Sequence, residues 1–327
     1  MNRRSFLKNT GKLGIALSLP AIYSFHTLDS LTSESLVDKH SFFKLSLAQW
    51  SLHNAIKRDK TLDALDFSKK AKELGFDAVD YVNHLFSIDH SNRTYSINNL
   101  VKELNIRSKD NGIENSILMV DNEGGLASAS QVKRDKAVEN HARWVDAAAG
   151  LGCNSVRVNL LGPGTENDFN LWKEASVDAL GRLAKYAEGS NINVIVENHG
   201  GMSSDAGKLT QIMREINLKN CGTLPDFGNF CTKTDNDKQW GKCIEKYDCY
   251  QGVKELMPFA KGVSAKTYDF DSKGNETSID YLKMLKIVKD SGFNGYIGIE
   301  YEGERLSEEQ GIKATRELIL KVSSKFR

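Results

Sequence analysis

The short apolar run Val194–Val196 constrains the fold of this chain most strongly, because it ends abruptly in the polar stretch Glu197–Gly201. A continuous Val/Ile run without polar alternation is typical of a strand that is buried on both faces, as in parallel sheets. Two later apolar runs end similarly, at Asp226 and at Glu300. Ligands of α/β folds bind at the carboxyl ends of strands, so these carboxylates predict one shared site.

Strand-like and helix-like patterns alternate along the chain from residue 43 to residue 327. The helix-ending phrase Leu74–Asp77 partly returns at Ser291–Asn294. Eight such units over about 280 residues match a (β/α)8 TIM barrel, whose usual length is about 250 residues. We predict an α/β fold with a single-domain TIM barrel over 43–327. A doubly wound sheet is the alternative, but the glycine-rich nucleotide motifs of such folds are absent from the sequence.

The polar stretch Thr232–Tyr250 interrupts this alternation after the sixth strand, and we expect an irregular insert there. Cys231, Cys243 and Cys249 lie in it or beside it. In an oxidising compartment one disulfide is expected in this stretch, with Cys243–Cys249 as the first choice.

The N-terminus resembles a twin-arginine export signal, with Arg3–Lys8 followed by the apolar run Leu13–Leu19. We predict a signal peptide over residues 1–26, a linker over 27–42 and a periplasmic protein. The apolar run is shorter than the roughly 20 residues that span a bilayer, so we expect no membrane anchor after cleavage.

The charge balance argues against a polyanionic partner. The chain carries 44 Lys and Arg against 43 Asp and Glu, a formal net charge of +1. No global field therefore favours nucleic acid, and a small molecule is the expected partner. Whether the protein forms a homo-oligomer is left open.

Residues two apart on a strand point to the same side, so polar residues at predicted strand ends form pairs. These pairs are Arg157 with Asn159, Glu197 with His199, Ser264 with Lys266, and Glu300 with Glu302. Carboxylates that meet at a barrel mouth repel one another unless a cation or a shared proton neutralises them. A divalent metal is the simplest explanation of the cluster.

Residues after the first two predicted strands are candidates for substrate contacts, because loops at these strand ends form the walls of a barrel site. Trp50, His53 and His84 occupy such positions. Arg157, Asn159, Asn229 and Glu302 are further candidates for binding substrate hydroxyls. Aromatic walls of such a site are expected from Trp50, Tyr81, Phe227 and Tyr301.

The order of Glu197, Asp226, Lys266 and Glu300 at strand ends, with Leu47–Ser51 at the start, resembles the xylose isomerase-like TIM barrel family. This family includes sugar isomerases and epimerases and apurinic endonucleases of the family 2 type. The most specific stretches are Val196–Gly200, Leu224–Phe230 and Ile299–Gly303. The resemblance covers nearly all of the chain after about residue 43.

The resemblance implies a metal site. Sugar-acting members hold one divalent ion with a Glu, an Asp, a His and a Glu after strands five to eight, which by position implies Glu197, Asp226 and Glu300. This chain has Ser264 where the histidine is common. Three explanations are open: His199 replaces the missing ligand, water completes a three-carboxylate site, or the metal is lost. We favour His199, and expect Mn²⁺ or Mg²⁺, with Zn²⁺ or Co²⁺ as alternatives.

The resemblance further implies a metal-dependent sugar isomerase or epimerase that abstracts a proton next to a carbonyl through an enediolate. Glu197 and Glu300 would carry protons, while Lys266 and His199 would stabilise the oxyanion. One alternative is a lyase or hydratase that acts on 3-keto sugars or 3-keto glycosides. Another is a non-catalytic sugar-binding barrel. A nuclease is disfavoured, because it would need more histidine ligands and a basic surface.

Overall fold

The structure is a computed structural model that describes residues 41–236 and 241–326. The predicted signal peptide and nearly all of the predicted linker lie outside the described residues. In the described part of the chain, no helix combines the length and the apolar character needed to cross a membrane.

Parallel strands form the centre of the molecule. The strands of the described chain are β1 (Lys44–Ala48), β2 (Ala78–Val82), β3 (Glu114–Met119), β4 (Ser155–Val158), β5 (Asn193–Glu197), β6 (Cys221–Leu224), β7 (Cys231–Thr234), β8 (Cys243–Lys246), β9 (Val263–Thr267) and β10 (Tyr296–Tyr301). All except β7 and β8 form one sheet, in the order β6-β5-β4-β3-β2-β1-β10-β9. Parallel bridges Thr223–Ala260 and Asp226–Ser264 join its two ends. The sheet therefore closes on itself, and the predicted TIM barrel is confirmed.

Helices surround this barrel, and consecutive ones pack side by side. The α-helices of the described chain are α1 (Phe67–Glu73), α2 (Arg93–Asp110), α3 (Gln131–Leu151), α4 (Phe169–Glu188), α5 (Ala206–Ile216), α6 (Cys249–Leu256), α7 (Tyr281–Asp290) and α8 (Glu308–Ser323). Aspartates begin four of them by accepting backbone N–H groups: Asp168, Asp205, Asp248 and Asp280. Such caps satisfy donors that have no partner inside the helix.

The repeated sequence phrase marks the same turn twice. After α1 the chain reverses at Gly75 with φ of 83°, and after α7 it reverses at Gly292 with φ of 77°. Glycine adopts this left-handed conformation without steric cost, which is why both helices end there.

The first strand and the first helix are each bordered by a 3-10 turn. The first strand ends at Ala48 and is followed by the 3-10 turn Gln49–Leu52. The first helix begins as the 3-10 turn Ala64–Asp66, because the Asp63 side chain accepts the Leu65 N–H there.

The insert after β6 is more ordered than predicted. Strands β7 and β8 form an antiparallel hairpin, and a disulfide joins Cys231 to Cys243 across it. The predicted Cys243–Cys249 pair is wrong, since Cys249 is a free thiol in the first turn of α6. A pairing between two strands depends on a register that cysteine spacing alone does not reveal.

The apolar core lies between the barrel strands and the helices. Tyr81, Phe227 and Tyr301 are almost completely buried in it. The ring of Tyr81 contacts Phe67 of α1, with 5.9 Å between ring centroids. The ring of Phe227 contacts Tyr281 of α7 at 5.7 Å. A Cβ atom on Gly311 of α8 would lie 2.3 Å from the Tyr301 ring. All three aromatic residues therefore pack against helices, and the prediction that they form walls of the site is wrong.

Inside the barrel a carboxyl group is buried among small residues. Asp80 of β2 is 1% exposed, and its Oδ2 accepts a hydrogen bond of 2.6 Å from Ser46 Oγ. A Cβ atom at Gly298 would lie 2.5 Å from the same oxygen, so β10 needs a glycine there. Burial raises the pKa of Asp80 to about 7, although hydrogen bonds from Ser46 and Ser116 act in the opposite direction.

This raised pKa predicts a pH-dependent loss of stability. The folded state binds the Asp80 proton more tightly than the unfolded chain, so the contribution of Asp80 to stability falls as the pH rises from about 4 through about 7. Asp80→Asn mimics the protonated acid and removes this contribution. Between pH 5.5 and pH 8 we expect wild type to lose about 2 kcal/mol more unfolding free energy than the variant. Parallel losses in urea titrations of both proteins would contradict this assignment.

Candidate active site

Three carboxylates meet at the carboxyl end of the barrel. Glu197 is the last residue of β5, Asp226 follows β6, and Glu300 lies in β10. One oxygen of each lies within 4.8 Å of one oxygen of each of the others. All three side chains are buried. The sequence prediction that these strand ends converge on one site is confirmed by this geometry.

Strand register places the surrounding residues. In the ladder between β9 and β10, Lys266 lies opposite Glu300 and Ser264 lies opposite Gly298. The bridge that closes the barrel sets Asp226 opposite Ser264. The predicted pair Ser264 and Lys266 therefore lies between two of the carboxylates.

Glu197 is held by two neighbours. Arg157 Nε lies 3.0 Å from Glu197 Oε2, and Asn229 Nδ2 donates to Oε1 at 3.1 Å. Burial raises the pKa of Glu197 well above its usual value. Arg157 opposes this rise, and the nearby charges of Glu300 and Asp226 add to it. Glu197 is thus a fixed carboxyl group with an increased proton affinity.

Asp226 accepts hydrogen bonds at both oxygens. Its Oδ1 accepts the backbone N–H groups of Gly228 and Asn229, each at 2.8 Å, and its Oδ2 accepts from Ser264 Oγ at 2.6 Å. Burial is the main cause that raises the pKa of Asp226 to about 6. Ser264 Oγ also lies 2.9 Å from Glu300 Oε2, so the serine connects two carboxyl groups of the cluster.

Lys266 supplies a buried positive charge to this cluster. Its Nζ lies 3.1 Å from Glu300 Oε1 and 3.2 Å from Glu302 Oε2, and its distance to Asp226 Oδ2 is 3.9 Å. Burial alone would lower the pKa of Lys266, but Glu300, Glu302 and Asp226 outweigh it and raise this pKa well above the usual value. The lysine is therefore a fixed ammonium group.

A further carboxylate at the barrel mouth, Asp121, was not identified from the sequence. Its Oδ1 accepts from Arg157 Nη1 at 2.6 Å and from Asn159 Nδ2 at 2.7 Å, and His84 Nδ1 lies 3.3 Å from Oδ2. Burial favours the neutral form, but the charge of Arg157 outweighs it, and the pKa of Asp121 lies well below its usual value. Asp121 follows Val120 just after the apolar end of β3, so the rule that identified Asp226 also applies to it.

Trp50 and two histidines form an aromatic group at one side of the site. The rings of Trp50 and His53 stack with centroids 4.4 Å apart, and the His84 ring centroid lies 5.5 Å from that of Trp50. Trp50 Nε1 donates to Glu302 Oε1. These predicted substrate contacts are thus linked through Glu302 to Lys266.

His199 is not a member of the three-carboxylate group. Burial and the charge of Arg157 lower the pKa of His199 to about 3, so its imidazole is neutral at physiological pH. Asp121 and Glu302 are among the charged groups that influence it. The arrangement therefore places His199 among residues around the cluster and does not support it as the fourth metal ligand.

Asn198 is a further residue of the site that was not identified from the sequence. Its Nδ2 donates to the carbonyl oxygens of Asp226 and Asn229 at 3.0 and 3.1 Å, and its Oδ1 accepts the Asp226 N–H at 2.8 Å. The amide therefore fastens the end of β5 to the loop after β6. This connection orients two of the three carboxylates relative to each other.

One family model matches most of the chain. The family model described as "xylose isomerase-like TIM barrel" matches residues 68–322. No sequence among curated proteins matches the chain.

Solved structures with the same fold have low sequence identity to this chain. A 3-keto-D-glucoside 4-epimerase from E. coli is 14% identical with a TM-score of 0.64, over 85% of this chain and 99% of that one. A D-tagatose 3-epimerase-like protein is 20% identical with a TM-score of 0.62, over 87% and 100%. A xylose isomerase-like TIM barrel protein from Mycobacterium smegmatis, in complex with magnesium, is 17% identical with a TM-score of 0.61, over 88% and 99%.

The contacts of Asp121 predict a structural cost when its charge is removed. In Asp121→Asn, the buried Arg157 keeps only Glu197 as an anionic partner. Removing one member of a buried ion pair is strongly destabilising, and with one partner left we expect a loss of about 2–3 kcal/mol in unfolding free energy. Guanidinium titration measures this loss.

Asp59→Asn is the matched control for this variant. Asp59 pairs with Arg58 at 2.8 Å on the surface, where ion pairs contribute little, so its removal should leave the unfolding midpoint unchanged. Equal midpoints for wild type and Asp121→Asn would show that Arg157 does not depend on Asp121.

Proposed function

The chain belongs to the xylose isomerase-like TIM barrel family, and on this basis we propose that it is a metal-dependent sugar isomerase or epimerase. The observation that carries the proposal is the buried group of Glu197, Asp226 and Glu300 at the mouth of the barrel. Sugar epimerases among the proteins with the same fold support this choice of reaction.

The donor set fits a hard divalent cation. In the described chain, the lysine and arginine partners of Asp121, Glu197, Asp226, Glu300 and Glu302 are Arg157 and Lys266. When all are ionised, the carboxylates outnumber these cations by three, and burial makes such an excess costly. A divalent ion would offset most of it. Oxygen ligands suit Mn²⁺ or Mg²⁺, whereas Zn²⁺ and Co²⁺ would benefit more from the histidine that Ser264 replaces.

We assign Glu197, Asp226 and Glu300 as the metal ligands, without His199. When bound, the metal would polarise the substrate carbonyl and so acidify the adjacent C–H bond. The donor set does not depend on Ser264, whose hydroxyl is a poor ligand beside three carboxylates. Ser264 Oγ instead lies within hydrogen-bond distance of Asp226 Oδ2 and Glu300 Oε2, and it can donate its single proton to one of these two oxygens at a time.

Glu197 and Glu300 carry the proton in this proposal. One carboxylate removes the proton next to the carbonyl, and the other returns a proton to the resulting enediolate. Burial raises the pKa of Glu197, so this carboxyl group has an increased affinity for the proton that it accepts. Arg157 and Asn229 orient this carboxyl group.

Lys266 and His199 stabilise the negative charge that develops on the substrate oxygen. The buried ammonium of Lys266 is held in place by Glu300 and Glu302, so it needs little reorganisation during the reaction. The neutral imidazole of His199 can donate one N–H to the same oxygen.

The remaining predicted residues are assigned to substrate binding. Trp50 stacked on His53 offers an apolar surface with polar edges, which suits a sugar ring. His84 and Asn159, both anchored near Asp121, are assigned to hydroxyl groups. Asn229 and Glu302 complete this set. The partner is therefore a small sugar molecule.

Export to the periplasm remains part of the proposal. The Cys231–Cys243 disulfide supports it, because disulfides persist in oxidising compartments and are rare in the cytosol. This agrees with the predicted export signal, which lies outside the described residues.

Solvent isotope exchange tests the proposed reaction. Metal-loaded protein in D₂O should introduce deuterium at the carbon next to the carbonyl of at least one ketose in a hexulose and pentulose panel, as measured by NMR. Glu197→Gln and Glu300→Gln should each lower the exchange rate at least 100-fold, within the range of about 10²–10⁴ for general acid–base groups.

Glu188→Gln, an exposed position at the end of α4, is the control and should exchange like wild type. Loss of a β-substituent instead of epimerisation would support the lyase alternative. Sugar binding without any exchange would support a binding protein.

A further inference from the structure

A cavity of about 830 Å³ lies beside the carboxylate cluster. Its lining comes from three segments: the loop after β4, the loop after β5, and the β7–β8 hairpin with Tyr247. All of them follow the carboxyl ends of barrel strands, so the cavity opens at the same end as the cluster. The lining does not include Glu197, Asp226 or Glu300. It is therefore a separate compartment next to the reacting groups.

The chain connects this cavity directly to the reaction centre. Glu197 and His199 are followed by Gly200 in the cavity wall, and Asn229, which bonds Glu197, is followed shortly by Cys231 in the hairpin part of that wall. The cavity lining therefore begins within three residues of Glu197 on one segment and of Asn229 on the other.

Size and chemistry of the cavity suit an uncharged, hydroxyl-rich group. Its volume lies within the range of about 300–1,000 Å³ that is usual for sites of drug-sized molecules. Leu161, an apolar side chain that is 39% exposed, lies in the wall. Three acidic residues, three basic residues and one amide line the same cavity: Glu166, Asp205, Glu245, Lys208, Lys233, Lys246 and Asn167. Mixed donors and acceptors around an apolar surface favour a sugar ring over an anion.

A disulfide and a backbone hydrogen bond hold the β7–β8 hairpin in position. The Cys231–Cys243 disulfide crosses it, and Tyr247 N donates to Phe230 O at 2.9 Å at its base. On the opposite side, Asp205 caps α5 and lies 3.3 Å from Lys208 Nζ. A preformed wall lowers the cost of ordering a loop around a ligand.

We propose that this cavity is a second subsite, which holds a sugar ring or aglycone attached to the reacting sugar. The substrate is then a glycoside or disaccharide, with its reacting ring at the carboxylate cluster and its second ring in the cavity. This inference rests on the proposed function, since it needs a sugar at the cluster.

Calorimetric titration of the Mn²⁺-loaded protein tests the subsite. The probes are D-fructose and three glucosyl-fructoses, in which glucose is linked to O3, O5 or O6 of the ketose. At least one glucosyl-fructose should bind ten-fold or more tightly than fructose. Leu161→Trp fills the cavity and should abolish this gain, while fructose affinity stays within two-fold of wild type.

Leu171→Trp is the matched control, because Leu171 is 38% exposed on α4 and does not line the cavity. It should retain the full gain. Fructose binding with no gain for any disaccharide would overturn the subsite and leave the proposed function intact. A gain that survives in Leu161→Trp would also overturn it. Absence of binding for all four sugars would contradict the sugar site itself, and the subsite with it.

Discussion

Closure of the barrel between β6 and β9 is the constraint on which the candidate site depends. The bridge between Asp226 and Ser264 joins the two ends of the sheet, and the adjacent ladder sets Lys266 opposite Glu300. Residues that are far apart in sequence thereby share one small volume. A shift of one residue in this register would turn Ser264 and Lys266 toward the helices and remove them from the carboxylates.

Two buried cations reduce the electrostatic repulsion between these crowded carboxylates. Lys266 neutralises part of the charge of Glu300 and Glu302, and Arg157 does the same between Asp121 and Glu197. Both cations are nearly inaccessible to solvent. Their positions divide the cluster into two ion-paired halves, and the proposed metal would lie where these halves meet. Ser264, at the position where the resemblance implies a histidine, adds no charge to this distribution.

Much of the fold and part of the site were readable from the sequence, because strand ends in a barrel have a simple signature. An apolar run that ends in a carboxylate identified Glu197, Asp226 and Glu300, and it could have identified Asp121. The Cys231–Cys243 pair could not be derived, since it depends on how two short polar strands align. The facing direction of Tyr301 was likewise missed, although strand parity places it on the side opposite to Glu300 and Glu302, toward α8.

Crystallography with anomalous scattering from Mn²⁺ tests the central claim most directly. Crystals of the protein with saturating Mn²⁺ should show one strong anomalous peak, with carboxylate oxygens of Glu197, Asp226 and Glu300 at roughly 2.0–2.6 Å, the range for oxygen ligands of hard cations. Lys266 Nζ should stay beside Glu300 and Glu302. An empty site at saturating Mn²⁺, with Lys266 Nζ lying between the three carboxylates, would contradict the account and identify a site that works with lysine alone.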